Sequence, residues 1–149
     1  MRLELTRRGD YAVRAAVALA ANGGGLLSTP RIAAEMEIPP RFLPQVMSDL
    51  VRADLVVGQT GRAGGYRLVR PPAEISLLDV IRAAEHDRAE RTCILRGGPC
   101  DPRDRCVVHD VFSEAREALL RSLAGTTLAE IAEARLRRLA TPAPGVGRE

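Results

Sequence analysis

The sequence predicts a mainly α-helical protein with one small β-hairpin. Apolar residues recur at spacings of three and four in several segments, as expected of amphipathic helices. Two short runs of strand-forming residues, at 55–57 and 66–69, flank a glycine-rich segment, which is typical of a hairpin. Hydrophobic residues make up 46% of the 149 positions, which is enough to build a packed core.

Three helices are predicted in the first third of the chain. Thr6 is a suitable N-cap for a first helix that extends through the apolar run 11–21. Pro30 opens a short second helix over 31–38, which two consecutive prolines stop. A third helix is predicted over 41–53. Its inward-facing side chains are expected to be Phe42, Leu43, Val46, Met47 and Leu50.

The hairpin and the later helices follow in order. Ser76 and Asp79 have the spacing of a capping box and open a helix over 77–84. Residues 86–105 lack any period and contain several glycines and prolines, so they are predicted to form a functional loop. A long amphipathic helix is predicted over 107–124 and a last helix over 128–139, capped by Thr126 or Thr127. The apolar stripe of the long helix comprises Val108, Val111, Phe112, Ala115, Leu119 and Leu123.

Three helices followed by a glycine-tipped hairpin form the order of a winged helix-turn-helix domain. We expect this DNA-binding domain to span 1–72. Residues 73–139 would contain a linker helix, a cysteine loop and the dimerisation helices. The predicted fold is thus a winged helix-turn-helix domain followed by a long C-terminal dimerisation helix. The segment 140–149 is expected to be a disordered tail.

The candidate DNA contacts lie on the second and third helices and on the wing. A helix-turn-helix domain reads bases with the first residues of its third helix, where Arg41 suits guanine and Gln45 suits adenine. Arg62, at the glycine-rich tip of the wing, suits a phosphate or the minor groove. As alternatives, Phe42 could belong to the core and Arg62 to a solvated turn. The full candidate set is Thr29, Arg31, Pro40, Arg41, Phe42, Gln45, Arg62 and Gly64.

Composition argues against several other classes of protein. All 22 basic residues are arginines, and the net charge of +3 is weakly favourable to nucleic acid. Aromatic residues make up 3%, too few for a single-strand stacking platform. No apolar run is long enough to span a bilayer, and the charged start is unlike a signal peptide, so a cytoplasmic protein without a membrane role is expected. No phosphate-binding loop or catalytic triad is evident, so we do not expect an enzyme.

Three cysteines lie in the loop, with the pattern Cys93-x6-Cys100-x5-Cys106. An odd number of cysteines argues against a disulfide framework. Thiolates ligate iron–sulfur clusters, and the glycines and prolines between them allow the chain to wrap around one. Zinc held by three cysteines and a histidine is a rival, although the short pair of cysteines usual in such sites is missing. A reversible disulfide without metal is a third alternative.

Several segments together resemble the Rrf2 family of bacterial transcription regulators over nearly the whole length. They are MRLELTRRGDYAVRA, RIAAEMEIPPRFLPQVMSDLVRADLV, GRAGGYRL, EISLLDVIRAAE, the cysteine loop and TTLAEI. Two cluster-binding branches have three cysteines at this place: the IscR-like branch, which regulates cluster assembly, and the NsrR-like branch, which senses nitric oxide. The resemblance implies a homodimer whose interface is formed mainly by the long helix.

The fourth ligand has two candidates. His109 follows Cys106 by three residues, and the IscR-like branch resembles this chain there. Asp10 stands where the NsrR-like branch has an acidic ligand donated across the dimer, and we favour it because it would couple the cluster to the first helix. Asp10 could also be a first-turn acid favoured by the helix dipole, and His109 or His86 a solvent-facing histidine.

The sequence and the resemblance together predict a homodimer that binds a double-stranded DNA operator. Its affinity would be switched by an iron–sulfur cluster that senses cluster status, redox state or nitric oxide. The resemblance favours a 2Fe-2S over a 4Fe-4S cluster. The alternatives are a zinc- or thiol-based regulator, a family member that senses a small molecule or an oxidant, and an iron–sulfur protein with no specific role at DNA.

Overall fold

Six α-helices and a two-stranded sheet make up the residues that the computed structural model describes, which are 4–85, 95, 103 and 105–141. The elements in chain order are α1 (Arg7–Ala21), α2 (Thr29–Met36), α3 (Leu43–Arg52), β1 (Val56–Gln59), β2 (Gly65–Leu68), α4 (Leu77–Ala84), α5 (His109–Gly125) and α6 (Leu128–Ala140), with 3₁₀ turns at Pro40–Phe42 and Pro72–Glu74. Most of the predicted loop 86–105, with Cys93 and Cys100, and the tail beyond Thr141 lie outside the described residues.

Helix α1 lies at the centre of the core, in contact with α2, α3, α4 and α6. Its buried face consists largely of alanines, of which Ala12 and Ala15 are completely buried, so neighbouring helices can approach closely. The predicted cap is present, since the Thr6 side chain accepts a hydrogen bond from the Gly9 amide at 3.1 Å.

The helix-turn-helix differs from its prediction at the end of the second helix and at the start of the third. Helix α2 stops at Met36, before the prolines, because Glu37 takes a left-handed conformation with a φ of 53°. The predicted start of the third helix at Arg41 is wrong by two residues. Residues Pro40–Phe42 form a 3₁₀ turn, and α3 begins at Leu43. The predicted inward side chains Leu43, Val46, Met47 and Leu50 are buried, whereas Phe42 is half-buried.

The predicted hairpin is confirmed, with its strands displaced by one or two residues. Strands β1 and β2 pair antiparallel, and Val56 lies opposite Leu68. Leu27 adds an isolated bridge to Tyr66 and so ties the wing to the start of α2. Glycine is required at the tip, since a side chain on Gly64 would meet the Gln59 carbonyl oxygen.

Two capping boxes begin the helices of the second half. Ser76 and Asp79 form the predicted box at α4, and Thr127 forms an equivalent box with Glu130 at α6. The two helix starts are joined, because the Leu77 amide donates to the Thr126 carbonyl at 2.8 Å. The core itself crosses the predicted domain boundary at 72, because Val80, Ala84 and Leu128 belong to it. The boundary itself stays a prediction.

Helix α5 differs from the other helices in having no buried residue. Part of the predicted stripe is exposed in the described chain: Val111 is 68% exposed and Leu119 is 38% exposed, whereas Phe112 and Leu123 are half-buried. Among the described residues, no helix is long and apolar enough to cross a membrane.

Candidate nucleic-acid interface and cysteine site

The start of α3 presents Arg41 on an aromatic support. Pro40 and Arg41 are exposed, and the Arg41 guanidinium lies 4.9 Å from the centre of the Phe42 ring. Phe42 in turn packs on Tyr11 of α1, with 5.3 Å between the ring centres. Phe42 therefore joins the core to the surface and restrains Arg41, while a direct contact between Phe42 and DNA stays a prediction.

Gln45 lies in the first turn of α3, the recognition helix of the helix-turn-helix, and is exposed and already oriented. Its amide nitrogen Nε2 donates to Oδ1 of Asp49 at 3.2 Å. This bond leaves the amide oxygen and one N–H hydrogen for other partners, because the Nε2 group carries two hydrogens.

Asp49 is a functional candidate that the sequence pattern did not reveal. It is 1% exposed, and Arg8 of α1 donates to both of its oxygens, from Nε at 2.5 Å and from Nη2 at 2.6 Å. Arg52 lies 3.5 Å from Oδ1. Burial alone raises the pKa of Asp49, but the hydrogen bonds from Arg8 and Gln45 and the charges of Arg8 and Arg52 outweigh it, so the pKa is lowered.

A sequence signal for Asp49 did exist. The residue lies on the inward face of an amphipathic helix, between Met47 and Leu50, where a carboxylate needs a buried partner. The partner could not be identified from spacing, because Arg8 is 41 residues away in the chain.

The two predicted DNA contacts on α2, Thr29 and Arg31, have side chains that are less restrained by neighbouring residues. Thr29 is the first residue of α2 and is half-buried. Arg31 is 64% exposed and pairs with Glu35 at 2.9 Å along the same helix face. Arg31 is therefore accessible, and its role at DNA stays a prediction.

The wing tip carries an exposed Arg62 between two constrained glycines. Gly61 has a φ of 109°, a conformation that side chains disfavour. The Gly64 amide donates to the Gly61 carbonyl at 3.0 Å, so this N–H closes the turn instead of facing a phosphate. Including Arg62, the exposed arginines of the first 72 residues that the structure describes are Arg7, Arg31, Arg41, Arg52, Arg62, Arg67 and Arg70.

Of the three cysteines, Cys106 is described. It is half-buried and lies three residues before the start of α5, and its carbonyl oxygen accepts from the amide of His109 at 2.9 Å. Among the described residues no three cysteine, histidine or acidic side chains are grouped to hold a metal. Cys93, Cys100 and His86 lie outside those residues, so the predicted ligand set stays a prediction.

Asp10, the other candidate ligand, lies in the first turn of α1. Its carboxylate pairs with Arg14 one turn later, at 2.9 Å, and Asp10 and Arg14 are 41% and 40% exposed. Arg14 also donates to the Met36 carbonyl at the end of α2, at 3.3 Å. The chain itself thus supplies a partner for Asp10 that fits the alternative of a first-turn acid.

Glu85 connects the beginning of the cysteine loop to the DNA-binding half. It is the residue after α4, and its Oε1 atom accepts from the Thr6 amide at 2.6 Å, at the start of α1. A side chain on Gly9 would collide with the same carboxylate. Glycine at this position therefore allows α4 to end directly on the first turn of α1.

Comparison with known proteins agrees with the winged-helix geometry. The family model described as "Rrf2: Iron-dependent Transcriptional regulator" matches residues 5–134. The HTH-type transcriptional regulator IscR of Cronobacter sakazakii is 30% identical over 130 residues, which cover 87% of this chain and 80% of that protein.

Two solved structures are also similar. CymR, the global cysteine regulator of B. subtilis, matches with a TM-score of 0.75 and 26% identity over 89% of this chain and 98% of its own. IscR of T. potens matches with a TM-score of 0.72 and 28% identity over 96% and 94%. These similar proteins are transcription regulators, in agreement with the expectation that the chain is not an enzyme.

Proposed function

The chain belongs to the Rrf2 family of transcription regulators, and we propose that it acts in the cytoplasm as a homodimer whose affinity for operator DNA is switched at the cysteine loop. The DNA-binding part of this proposal rests on the recognition helix α3. It exposes Gln45 in its first turn, the 3₁₀ turn directly before it exposes Arg41, and the same domain presents Arg62 on the wing.

These three side chains suit the two grooves and the backbone of a duplex. Arg41 and Gln45 have the hydrogen-bonding groups that read guanine and adenine in the major groove. Arg62 is suited to a phosphate or to a narrow minor groove. We expect Arg41→Ala to weaken binding to the preferred sequence and Arg62→Ala to weaken binding to all sequences similarly.

The cysteine loop would hold an iron–sulfur cluster through Cys93, Cys100 and Cys106, with Asp10 or His109 as the fourth ligand. The donor set fits, because thiolates are the ligands that iron–sulfur clusters use and an oxygen or imidazole ligand is more exchangeable. A bound cluster supplies a site at which oxidants or nitric oxide react with iron. The preferred form is 2Fe-2S, with 4Fe-4S as the alternative.

The switch would act through the contacts at the start of α1. A ligated loop fixes the chain on both sides, at Glu85 and at Cys106, and Glu85 binds the Thr6 amide. Loss of the ligands would release Glu85 and allow α1 to move relative to α4. In a dimer, such a movement changes the separation of the recognition helices from about 34–36 Å, the spacing that one turn of DNA requires.

The first test is anaerobic purification followed by visible absorption and assays of iron, sulfide and zinc. We expect the wild type to contain iron and sulfide in a cluster ligated by cysteines, and Cys100→Ala to lose both. A band shift on DNA from the promoter of its own gene should then differ between the wild type and Cys100→Ala. Equal DNA affinity of the two proteins under all conditions would rule out switching at the loop.

Identification of the fourth ligand needs a pair of variants. Asp10→Ala should change the visible spectrum and weaken cluster retention, whereas His109→Ala should leave both unchanged. The opposite pattern would assign the ligand to His109. Because Asp10→Ala also removes the Arg14 ion pair, Arg14→Gln is the control that breaks this pair while the Asp10 carboxylate is kept.

A second candidate function is thiol sensing without metal, and the similarity to CymR favours it, since CymR of Staphylococcus aureus is known in an oxidised form. Protein purified without iron or zinc, whose DNA affinity responds to oxidant and recovers with a reductant, would support this candidate. Colourless protein with stoichiometric zinc would instead support a zinc site.

A further inference from the structure

The buried carboxylate of Asp49 lies directly behind a side chain that faces DNA in the proposed function. Asp49 is buried, and Gln45 lies one turn earlier on the same side of α3 but exposed, and the two are joined by the 3.2 Å hydrogen bond. Asp49 is itself fixed by two hydrogen bonds from Arg8. Gln45 is thus held by a rigid partner rather than by solvent.

This contact determines which way the carboxamide points. An ionised carboxylate accepts hydrogen bonds and donates none, so the nitrogen and not the oxygen of Gln45 must face Asp49. Bidentate recognition of adenine uses the amide oxygen together with one hydrogen of the nitrogen. The nitrogen carries a second hydrogen for Asp49, so both contacts can exist at once.

We propose that Asp49 is a specificity-determining positioning residue, which holds Gln45 in the one carboxamide orientation that reads an adenine in the operator. The inference rests on the proposed function at DNA. Without Asp49 the carboxamide of Gln45 can rotate by half a turn. The rotated form places its amide nitrogen against the adenine amino group, and no hydrogen bond forms because both groups are donors. The loss is therefore expected at one base pair and not across the whole site.

The experiment selects duplexes from a randomised library with the full-length wild-type protein and repeats the selection with variants. Gln45→Ala identifies the base pair that Gln45 reads. Asp49→Leu should relax the preference for A·T at that same pair by about tenfold, within the range of one bidentate contact, and leave the other positions unchanged. In the double variant Gln45→Ala/Asp49→Leu, no further loss is expected, since the two residues act on one contact.

Two further variants control for folding and for charge. Arg8→Met/Asp49→Leu replaces both members of the ion pair by apolar side chains. It should show the same single-position loss as Asp49→Leu, which would exclude the charge of Arg8 beside an apolar side chain as the cause. Glu74→Gln removes one negative charge at an exposed position and should leave the preference at every base pair as in the wild type.

The outcomes separate the inference from the proposed function. If the Asp49 variants keep the preference at the base pair assigned to Gln45, or lose preference equally at all positions, the positioning role is wrong although DNA binding stands. If the wild type itself enriches no sequence, the proposed function fails before Asp49 is tested.

Discussion

At the scale of single residues, the Arg8–Asp49 pair should be asymmetric in its effect on stability. Arg8→Ala leaves a completely buried carboxylate with weaker partners and should lower the free energy of unfolding by about 3 kcal/mol. Asp49→Leu leaves Arg8, which is 36% exposed and can be hydrated, and should cost about 1 kcal/mol. Urea unfolding of both variants measures the difference.

The control for this prediction is the double variant Arg8→Met/Asp49→Leu. Replacing a buried ion pair by apolar side chains is often neutral, so the double variant should be more stable than Arg8→Ala. A double variant less stable than either single change would show that the pair contributes through more than its own charge interaction.

The same pair predicts how stability depends on pH. In the wild type the folded-state pKa of Asp49 lies below 3.8, so the stabilisation is complete above that pH and is lost as the pH falls through the folded-state pKa. In Arg8→Ala, only Gln45 and Arg52 still offset burial, so the pKa of Asp49 should be higher than in the wild type. The stability gap between the two proteins should therefore shrink between pH 5 and about pH 3.

Urea unfolding at pH 7, 5 and 3.5 checks the pH dependence. A gap that stays constant over this range would mean that Asp49 does not carry the charge responsible for it. The wild type unfolded under the same conditions provides the reference, since other carboxylates titrate in both proteins and their effects cancel in the difference.

Residue identities on the recognition helix were predictable, whereas their contacts were not. Arg41 and Gln45 follow from their place after a proline turn and are exposed as expected. Asp49, and the aromatic support that Tyr11 gives Phe42, depend on how α1 packs on α3. Such pairs are set by tertiary packing and leave no period in the sequence.

At the scale of elements, the wing tip should depend on glycine at position 64. Gly64→Ala would place a methyl group against the Gln59 carbonyl and 2.8 Å from the Gly61 oxygen, so the turn must open. Affinity for the selected duplex should fall severalfold while the helical circular dichroism is retained. Gly125→Ala is the matched control, because the added methyl group meets no atom within 4 Å beyond its own chain neighbours and helix backbone, and its DNA affinity should be unchanged.

The helix starts that have a capping box were predicted at the correct residue, whereas the start of α3 and the end of α2 were each wrong by two residues. Ser76 and Thr127 each satisfy an amide with a local side chain, so the signal is contained in four consecutive residues. Helix α2 ends where Glu37 adopts a left-handed conformation, and the Ile38 amide donates back to Ala33 at 3.0 Å. Glutamate carries no preference for that conformation, so the prolines two residues later indicated the wrong end.

At the scale of the whole molecule, the core explains why the two predicted halves cannot be independent. Leu128 is completely buried and belongs to the cluster built around α1, and Arg135 of α6 donates to the Glu35 carbonyl in α2 at 3.2 Å. A movement of the second half would therefore reach the helix-turn-helix through packed contacts. The sequence pattern predicted each helix but did not show that α6 returns to α1.

The apolar stripe of α5 is predicted to form the interface between two copies of the chain. Val111, Ala115 and Leu119 are exposed, as expected of a helix that packs against a second copy of the chain. Val111→Glu should place a charge in that interface and convert the protein to a monomer in sedimentation velocity, with loss of operator binding. Arg121→Glu adds the same side chain on the polar side of α5, where Arg121 is 70% exposed, and should remain dimeric. If Val111→Glu stays a dimer, the interface lies elsewhere and the separation of the recognition helices is set by another element.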